Sequence, residues 1–227
     1  MTGGPKYRCR AFLFDLDGTL VDSKGDLAYS VNLALDRMGL APVGIDRVER
    51  FIGDGARKLM ERALRESCGR EPAEPDVDRS VEVFLDAYGG HLLDSTGFYP
   101  GVERALERLG ETPLAIVTNK PERMSRRILE GLGWAGRFRA IIGGDTTPRR
   151  KPDPYPLELA LEACGVPSRE AMMVGDSPVD VAAGRAAGTL TCAVAGGYRS
   201  REELEAAVPD LIIESVAELP RRLAGSD

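Results

Sequence analysis

The chain has 227 residues, 43% of them hydrophobic, and a formal net charge of -6. That length is enough for one large core or two modest ones, and the negative balance gives no electrostatic reason for a nucleic-acid partner. No uncharged apolar run is long enough to cross a bilayer and the N-terminus lacks a signal-peptide apolar region, so no membrane partner and a cytoplasmic location are expected.

Short apolar runs recur at 11–14, 114–117, 140–142, 171–174, 190–194 and 211–213, each followed by a turn signal or a polar residue. Helical patterns lie between them at 101–110, 121–133, 156–165, 178–188 and 201–208. Several of these open on Pro and close on Gly, the usual helix asymmetry. Alternating short strands and helices predict an α/β fold with a parallel sheet covered on both faces. The gap between the first and second runs is far longer than the dozen or so residues a crossover needs. Its surplus reads as helices at 26–38, 46–51, 56–68 and 77–93, with Leu59, Met60, Ala63 and Leu64 at helical spacing. This predicts a helical insertion over one edge of the sheet. Residues 1–7 and 225–227 read as frayed ends.

The cysteines at 9, 68, 164 and 192 form no CxxC pair and read as reduced thiols. His91 is the single histidine. It offers no cluster for zinc and reads as a helix-end residue. There is no P-loop and no GxGxxG, since Gly53-Asp-Gly55 lacks the third glycine. No cysteine has arginine six residues on, which excludes the cysteine-phosphatase loop. Residues 15–26 imitate a calcium loop only superficially, with Leu20 at position six and Asp26 at position twelve.

Chemistry gathers at the strand ends. Asp15 and Asp17 follow the first run and enter a glycine turn. Crowded carboxylates need a cation or a shared proton, and a carboxylate can act as a nucleophile. An Asx turn closing the strand is the plain alternative. Thr118 and Asn119 end the second run, where hydroxyl and amide can donate to an anion or simply cap the helix that Pro121 starts. Lys151 opens a segment stiffened by Pro152, Pro154 and Pro156, read as extended. Its ammonium can balance a phosphoryl charge; with Arg149 and Arg150 it can also be a solvated basic loop. Asp176 lies just past the fourth run and Asp180 four residues on in a helix, a spacing that puts both near one helix face. Acids also favour helix N-termini for their own sake. A third strand-end Asp beside Asp15 and Asp17 favours a magnesium site.

In this order, Asp15-Leu-Asp-Gly-Thr, Thr118-Asn119, Lys151-Pro and Gly175-Asp-Ser-Pro-Val-Asp180 resemble the four motifs of the haloacid dehalogenase superfamily of phosphotransferases. The resemblance implies a doubly wound parallel, Rossmann-like core over 1–22 and 95–227, with an inserted α-helical cap over 23–94. Within the superfamily the chain is most similar to the bacterial phosphoglycolate phosphatases, through Phe51-Ile-Gly-Asp-Gly-Ala, Phe98-Tyr-Pro-Gly-Val, Val117-Thr-Asn-Lys-Pro121 and Ile141-Ile-Gly-Gly-Asp145. Asp54 departs from that subfamily, whose cap loop carries Asn there. The resemblance implies that Asp15 attacks phosphorus. Asp17 would protonate the leaving alkoxide and then activate water. Mg²⁺ would be held by the Asp15 carboxylate, the Asp17 main-chain carbonyl and Asp176, with Asp180 behind them near Lys151. Thr118, Asn119 and Lys151 would hold the phosphoryl oxygens. Arg57 and Lys58, beside the Gly53–Gly55 loop, are candidates for a substrate carboxylate; a solvated helix face is the alternative. The expected partner is a small phosphorylated metabolite and the expected assembly a monomer or homodimer. Rival substrates are a sugar phosphate, a nucleotide or pyrophosphate. A phosphomutase on the same scaffold is a further rival, and a non-enzymatic binding module is the rival from another class.

Overall fold

The computed structural model describes residues 9–224, so the two predicted frayed ends lie outside the described residues. The chain opens with β1 (Ala11–Phe14) and a two-residue strand β2 (Val21–Asp22). Four helices follow: α1 (Lys24–Arg37), α2 (Ile45–Phe51), α3 (Ala56–Cys68) and α4 (Glu74–Gly90). The chain then returns through β3 (Gly97–Phe98), α5 (Val102–Arg108), β4 (Leu114–Val117), α6 (Glu122–Gly131) and β5 (Ala140–Ile142). It ends with α7 (Tyr155–Cys164), β6 (Ala171–Gly175), α8 (Pro178–Ala187), β7 (Leu190–Val194), α9 (Arg201–Ala206), β8 (Leu211–Ile213) and α10 (Leu219–Ala224).

Six strands form one parallel sheet in the order β5-β4-β1-β6-β7-β8. Alternate residues of its central strands feed two separate cores. Phe12, Phe14, Leu114, Ile116, Met172 and Val174 face one with Leu106, Ile128 and Leu129 of α5 and α6. Leu13, Ala115, Val117 and Met173 face the other with Leu157, Ala160 and Leu161 of α7 and Ala183 of α8. Burial on both faces is why these strands read as unbroken apolar runs. The chain leaves β1 for β4 on one side and later crosses to β6 on the other. The C-terminal ends of β1, β4 and β6 therefore meet at a topological switch point, the place where open α/β sheets bind ligands.

Helices α1 to α4 pack on one another, α1 against α2 and α4, and α3 against α2 and α4. Leu59, Met60, Ala63 and Leu64 of α3 are all buried, as their spacing predicts. The two chain crossings to this layer are tied together. Asp26, in the first turn of α1, accepts hydrogen bonds from the backbone N–H and the hydroxyl of both Ser95 and Thr96. Burial works against its charge, but these donors outweigh it and hold the carboxyl below its ordinary range. Beside it, β2 and β3 form an antiparallel ribbon pairing Val21 with Phe98 and Asp22 with Gly97.

Three features depart from the sequence reading. The ribbon is too short for any periodicity to reveal it. Helix α4 begins three residues before Val77, because Pro75 sits in its first turn, where a missing N–H is harmless. His91 is the C-cap of that helix, as read. Helix α10 was not read from the sequence at all; its Pro220 lies in the first turn, as Pro75 does in α4.

Candidate active site

The strand ends place the carboxylates. Asp15 follows β1, its N–H bonded to the carbonyl of Val174 in β6 at 2.9 Å. The chain then coils tightly, with Thr19, Leu20 and Val21 all donating to the Leu16 carbonyl. Gly18 has φ +79°, and a Cβ there would lie 2.3 Å from Asp176 Oδ2. Glycine is therefore required both by the backbone and by the approach of Asp176 to this turn. Asp176 is held there by the Tyr198 N–H, 2.7 Å from Oδ2, and the Thr19 hydroxyl, 3.2 Å from Oδ1.

Asp176 precedes α8 rather than lying on it, which corrects the shared-helix-face expectation. Ser177 is the N-cap, and Asp180 closes a reciprocal capping box by accepting from the Ser177 N–H and hydroxyl. That fold-back, not helical spacing, brings Asp180 beside Asp176. One carboxylate oxygen from each of Asp15, Asp176 and Asp180 lies within 4.8 Å of the others.

Lys151 is 3% exposed and bridges two of them, 2.6 Å from Asp180 Oδ1 and 3.0 Å from Asp15 Oδ1. The Asp15 contact is close but poorly aligned, and Oδ1 has no proper hydrogen-bond donor. The 151–154 segment is a turn, not extended chain, because Pro154 takes a helical conformation at the N-cap of α7. Lys151 is positioned by its acidic partners and by Asn119, which donates to its carbonyl.

Asp17 points away from this cluster. Both its oxygens lie 2.8 Å from Lys120 Nζ, and Oδ1 also accepts from the Ser23 hydroxyl at 2.5 Å. Tyr198 extends the network through its own hydroxyl to the Ser23 N–H. Lys120, Ser23, Thr19 and Tyr198 were not picked out from sequence. Lys120 left a signal: a lysine two residues beyond Thr118 at the same strand end. Tyr198 sits in a loop after β7 with nothing local to mark it.

The charge balance of the site favours binding a further cation. Asp15, Asp17, Asp176 and Asp180 are all buried, against two buried ammonium groups, Lys120 and Lys151. Four negative charges facing two positive ones leave a formal excess of two. Burial, and next the charges of Asp15 and Asp180, push the Asp176 carboxyl up to about 8. Burial raises Asp15 to about 6 despite the opposing pull of Lys151. An all-oxygen donor set with a twofold negative excess and an unsatisfied Asp15 oxygen fits a small hard divalent cation.

A cleft runs over these groups. Asp15, Asp17, Thr118, Asn119 and Lys120 form its floor, and Leu27, Ile52, Leu59, Phe84 and Met124 line its apolar part. Thr118 is in place. Asn119 differs from expectation: its amide N–H groups go to the carbonyls of Gly53 and Lys151, so they tie the 53–55 loop to the sheet rather than offering themselves to an anion. Arg57 and Lys58 are not brought to the cleft. Arg57 faces outward to Asp78 and Glu74, and Lys58 pairs with Glu61 at 2.8 Å. On α3 it is Ala56 and Leu59 that turn inward. Asp54 is neutralised by Arg62 at 2.5 Å.

This sheet and this constellation define a class. The haloacid dehalogenase-like hydrolase family matches residues 12–194, and the chain belongs to that family. It is a phosphoric monoester hydrolase, and its relatives narrow the group further. It is 42% identical over 212 residues to a phosphoglycolate phosphatase of Chromobacterium violaceum, covering 92% of this chain and 94% of that one. It is 39% identical over 214 residues to phosphoglycolate phosphatase 1 of Pseudomonas aeruginosa, covering 92% of this chain and 78% of the relative. A crystal structure of a predicted phosphoglycolate phosphatase from Haemophilus somnus superposes with a TM-score of 0.88 at 32% identity, covering 94% and 97% of the two chains. Among the described residues no helix is long and apolar enough to cross a membrane.

Proposed function

We propose that the chain hydrolyses 2-phosphoglycolate to glycolate and phosphate through an aspartyl-phosphate on Asp15, with Mg²⁺ as cofactor. The observation that carries this reading is the convergence of Asp15, Lys151, Thr118 and Asp176 at the switch point of the sheet, in a chain whose curated relatives bear that substrate in their names. A carboxylate oxygen of Asp15 forms a bond to phosphorus as the bond from phosphorus to the ester oxygen breaks. Asp17, in its protonated form, gives its proton to the departing alkoxide. It then takes a proton from the water that attacks the acyl phosphate, releasing phosphate and restoring the Asp15 carboxylate. Lys151 and Thr118 hold the equatorial oxygens, whose positioning and charge balance are the main demand of phosphoryl transfer. Mg²⁺ would be held by the Asp15 and Asp176 carboxylates and the Asp17 main-chain carbonyl, and would supply charge neutralisation at the phosphoryl oxygens. Asp180 holds Lys151 rather than binding directly.

In this reading residues 23–94 act as a cap on a core made of 1–22 and 95–227. Opening the cap admits substrate, and closing it excludes water. The cleft is narrow, about 40 Å³, and half open to solvent. Its apolar part offers no hydrogen-bond partner to the hydroxyls of a sugar, which favours a compact ester over that rival.

The acid role of Asp17 has its own test. Asp17→Asn is expected to lower kcat on 2-phosphoglycolate by about 10²- to 10⁴-fold. The loss on p-nitrophenyl phosphate, whose leaving group departs without a proton, is expected to be at least tenfold smaller. Steady-state kinetics on the two esters decides it: equal losses contradict proton donation by Asp17.

A further inference from the structure

With Arg57 and Lys58 facing solvent, Lys120 is the one lysine or arginine among the described residues lining the cleft. It is 6% exposed and follows β4, two residues beyond Thr118, so its ammonium stands next to where the phosphoryl group would sit. An ammonium carries three N–H groups. Asp17 takes two, one to each oxygen at 2.8 Å, and a third remains. Nζ lies 4.6 Å from the centroid of the Tyr88 ring, so the ammonium and the phenol are direct neighbours. Tyr88 is 1% exposed and lines the same cleft, yet its hydroxyl has no hydrogen-bond partner. A buried hydroxyl without a partner is costly, and native sites that keep one need an explanation. The ring is fixed by stacking on Phe84 at 5.5 Å, so the hydroxyl stays where it is. Two neighbouring donors, one cationic and one neutral, suit the two oxygens of a carboxylate.

We propose that Lys120 and the Tyr88 hydroxyl bind the carboxylate of the substrate and so select phosphate esters that carry an acid group close to the ester oxygen. This rests on the phosphatase reading above and gives it a specificity determinant. The receptor belongs half to the sheet, through Lys120, and half to α4, through Tyr88. The carboxylate then draws the helical layer onto the core as it binds, and an ester without it lacks that closing contact.

The test is the ratio of kcat/KM for 2-phosphoglycolate to that for ethyl phosphate, which has a methyl group in place of the carboxylate. Wild type is expected to favour the acid by about 100-fold or more. Lys120→Met is expected to cut that ratio by about 30-fold or more, chiefly through KM for 2-phosphoglycolate, with partial recovery in Lys120→Arg. Tyr88→Phe, which removes one oxygen and keeps the stacked ring, is expected to cut it by about tenfold. Equal slowing of both esters in Lys120→Met, with the ratio unchanged, overturns the assignment and leaves Lys120 as a partner of Asp17 alone. Should Lys120→Met not fold by circular dichroism, an unchanged ratio in Tyr88→Phe overturns it instead. Including 3-phosphoglycerate separates this failure from failure of the substrate reading. A wild type that prefers 3-phosphoglycerate, with that preference lost in Lys120→Met, sinks 2-phosphoglycolate but keeps the receptor. A wild type indifferent to any acid group sinks both.

Discussion

Asp15→Asn is expected to lower kcat for phosphate release by on the order of 10⁴-fold or more while the protein stays folded. The amide has the shape of the carboxylate but cannot form the bond to phosphorus. Folding should survive because Asp15 is tied in place by its backbone N–H to Val174, not by its side chain. Its Oδ1 meets Lys151 at 3.0 Å without good alignment, so little native bonding is lost. Removing one charge from a cluster with an excess of two relieves repulsion, and the melting temperature in EDTA should hold or rise. Phosphate release and a thermal melt on the same preparation check both halves. Activity within tenfold of wild type would contradict the nucleophile assignment.

Magnesium should stabilise the protein strongly at pH 8 and weakly at pH 5. Burial raises the Asp176 carboxyl from 3.8 to about 8 and Asp15 to about 6 in the metal-free fold. The folded state then binds more protons than the unfolded chain throughout this window. Stability therefore falls as pH rises from about 4 to about 8, in contrast to the usual salt-bridged carboxylate. A divalent cation takes the place of those protons, so its contribution grows as they leave. At about 100 times the dissociation constant it contributes about 2.7 kcal/mol, a melting shift of about 5–10 °C for a chain of this size. Scanning calorimetry with Mg²⁺ and with EDTA from pH 5 to 9 reads the effect. Asp176→Asn should abolish the shift and raise the EDTA melting temperature at pH 8. A magnesium shift that is the same at every pH would contradict the carboxylate cluster as its site.

The parallel core was legible because its strands are buried on both faces. Phe12 and Leu13 serve opposite cores, so the run shows no alternation and stands out as continuous apolar sequence. Asp15 and Asp176 were legible for the same reason, since each directly follows such a run. What escaped the sequence depends on contacts distant along the chain. Tyr198 reaches Ser23 across 175 positions, and the ribbon of β2 and β3 joins segments flanking the helical insertion. Arg57 and Lys58 were misplaced because proximity to the Gly53–Gly55 loop says nothing about which side of α3 a residue takes. The buried stripe of α3 is set by Leu59, Met60, Ala63 and Leu64, and it leaves both basic residues in solvent. Asn119 lines the cleft, but its hydrogen bonds to Gly53 and Lys151 follow only from the folded geometry.

The most direct test of the account is phosphate release by the wild-type chain from 2-phosphoglycolate, 3-phosphoglycerate, ethyl phosphate, a hexose phosphate, a nucleoside monophosphate and pyrophosphate, each with Mg²⁺ and with EDTA. Rapid release from 2-phosphoglycolate that stops in EDTA, with the other esters at least tenfold slower, is the predicted result. Preference for 3-phosphoglycerate, a hexose phosphate, a nucleotide or pyrophosphate, or undiminished release in EDTA, would contradict it.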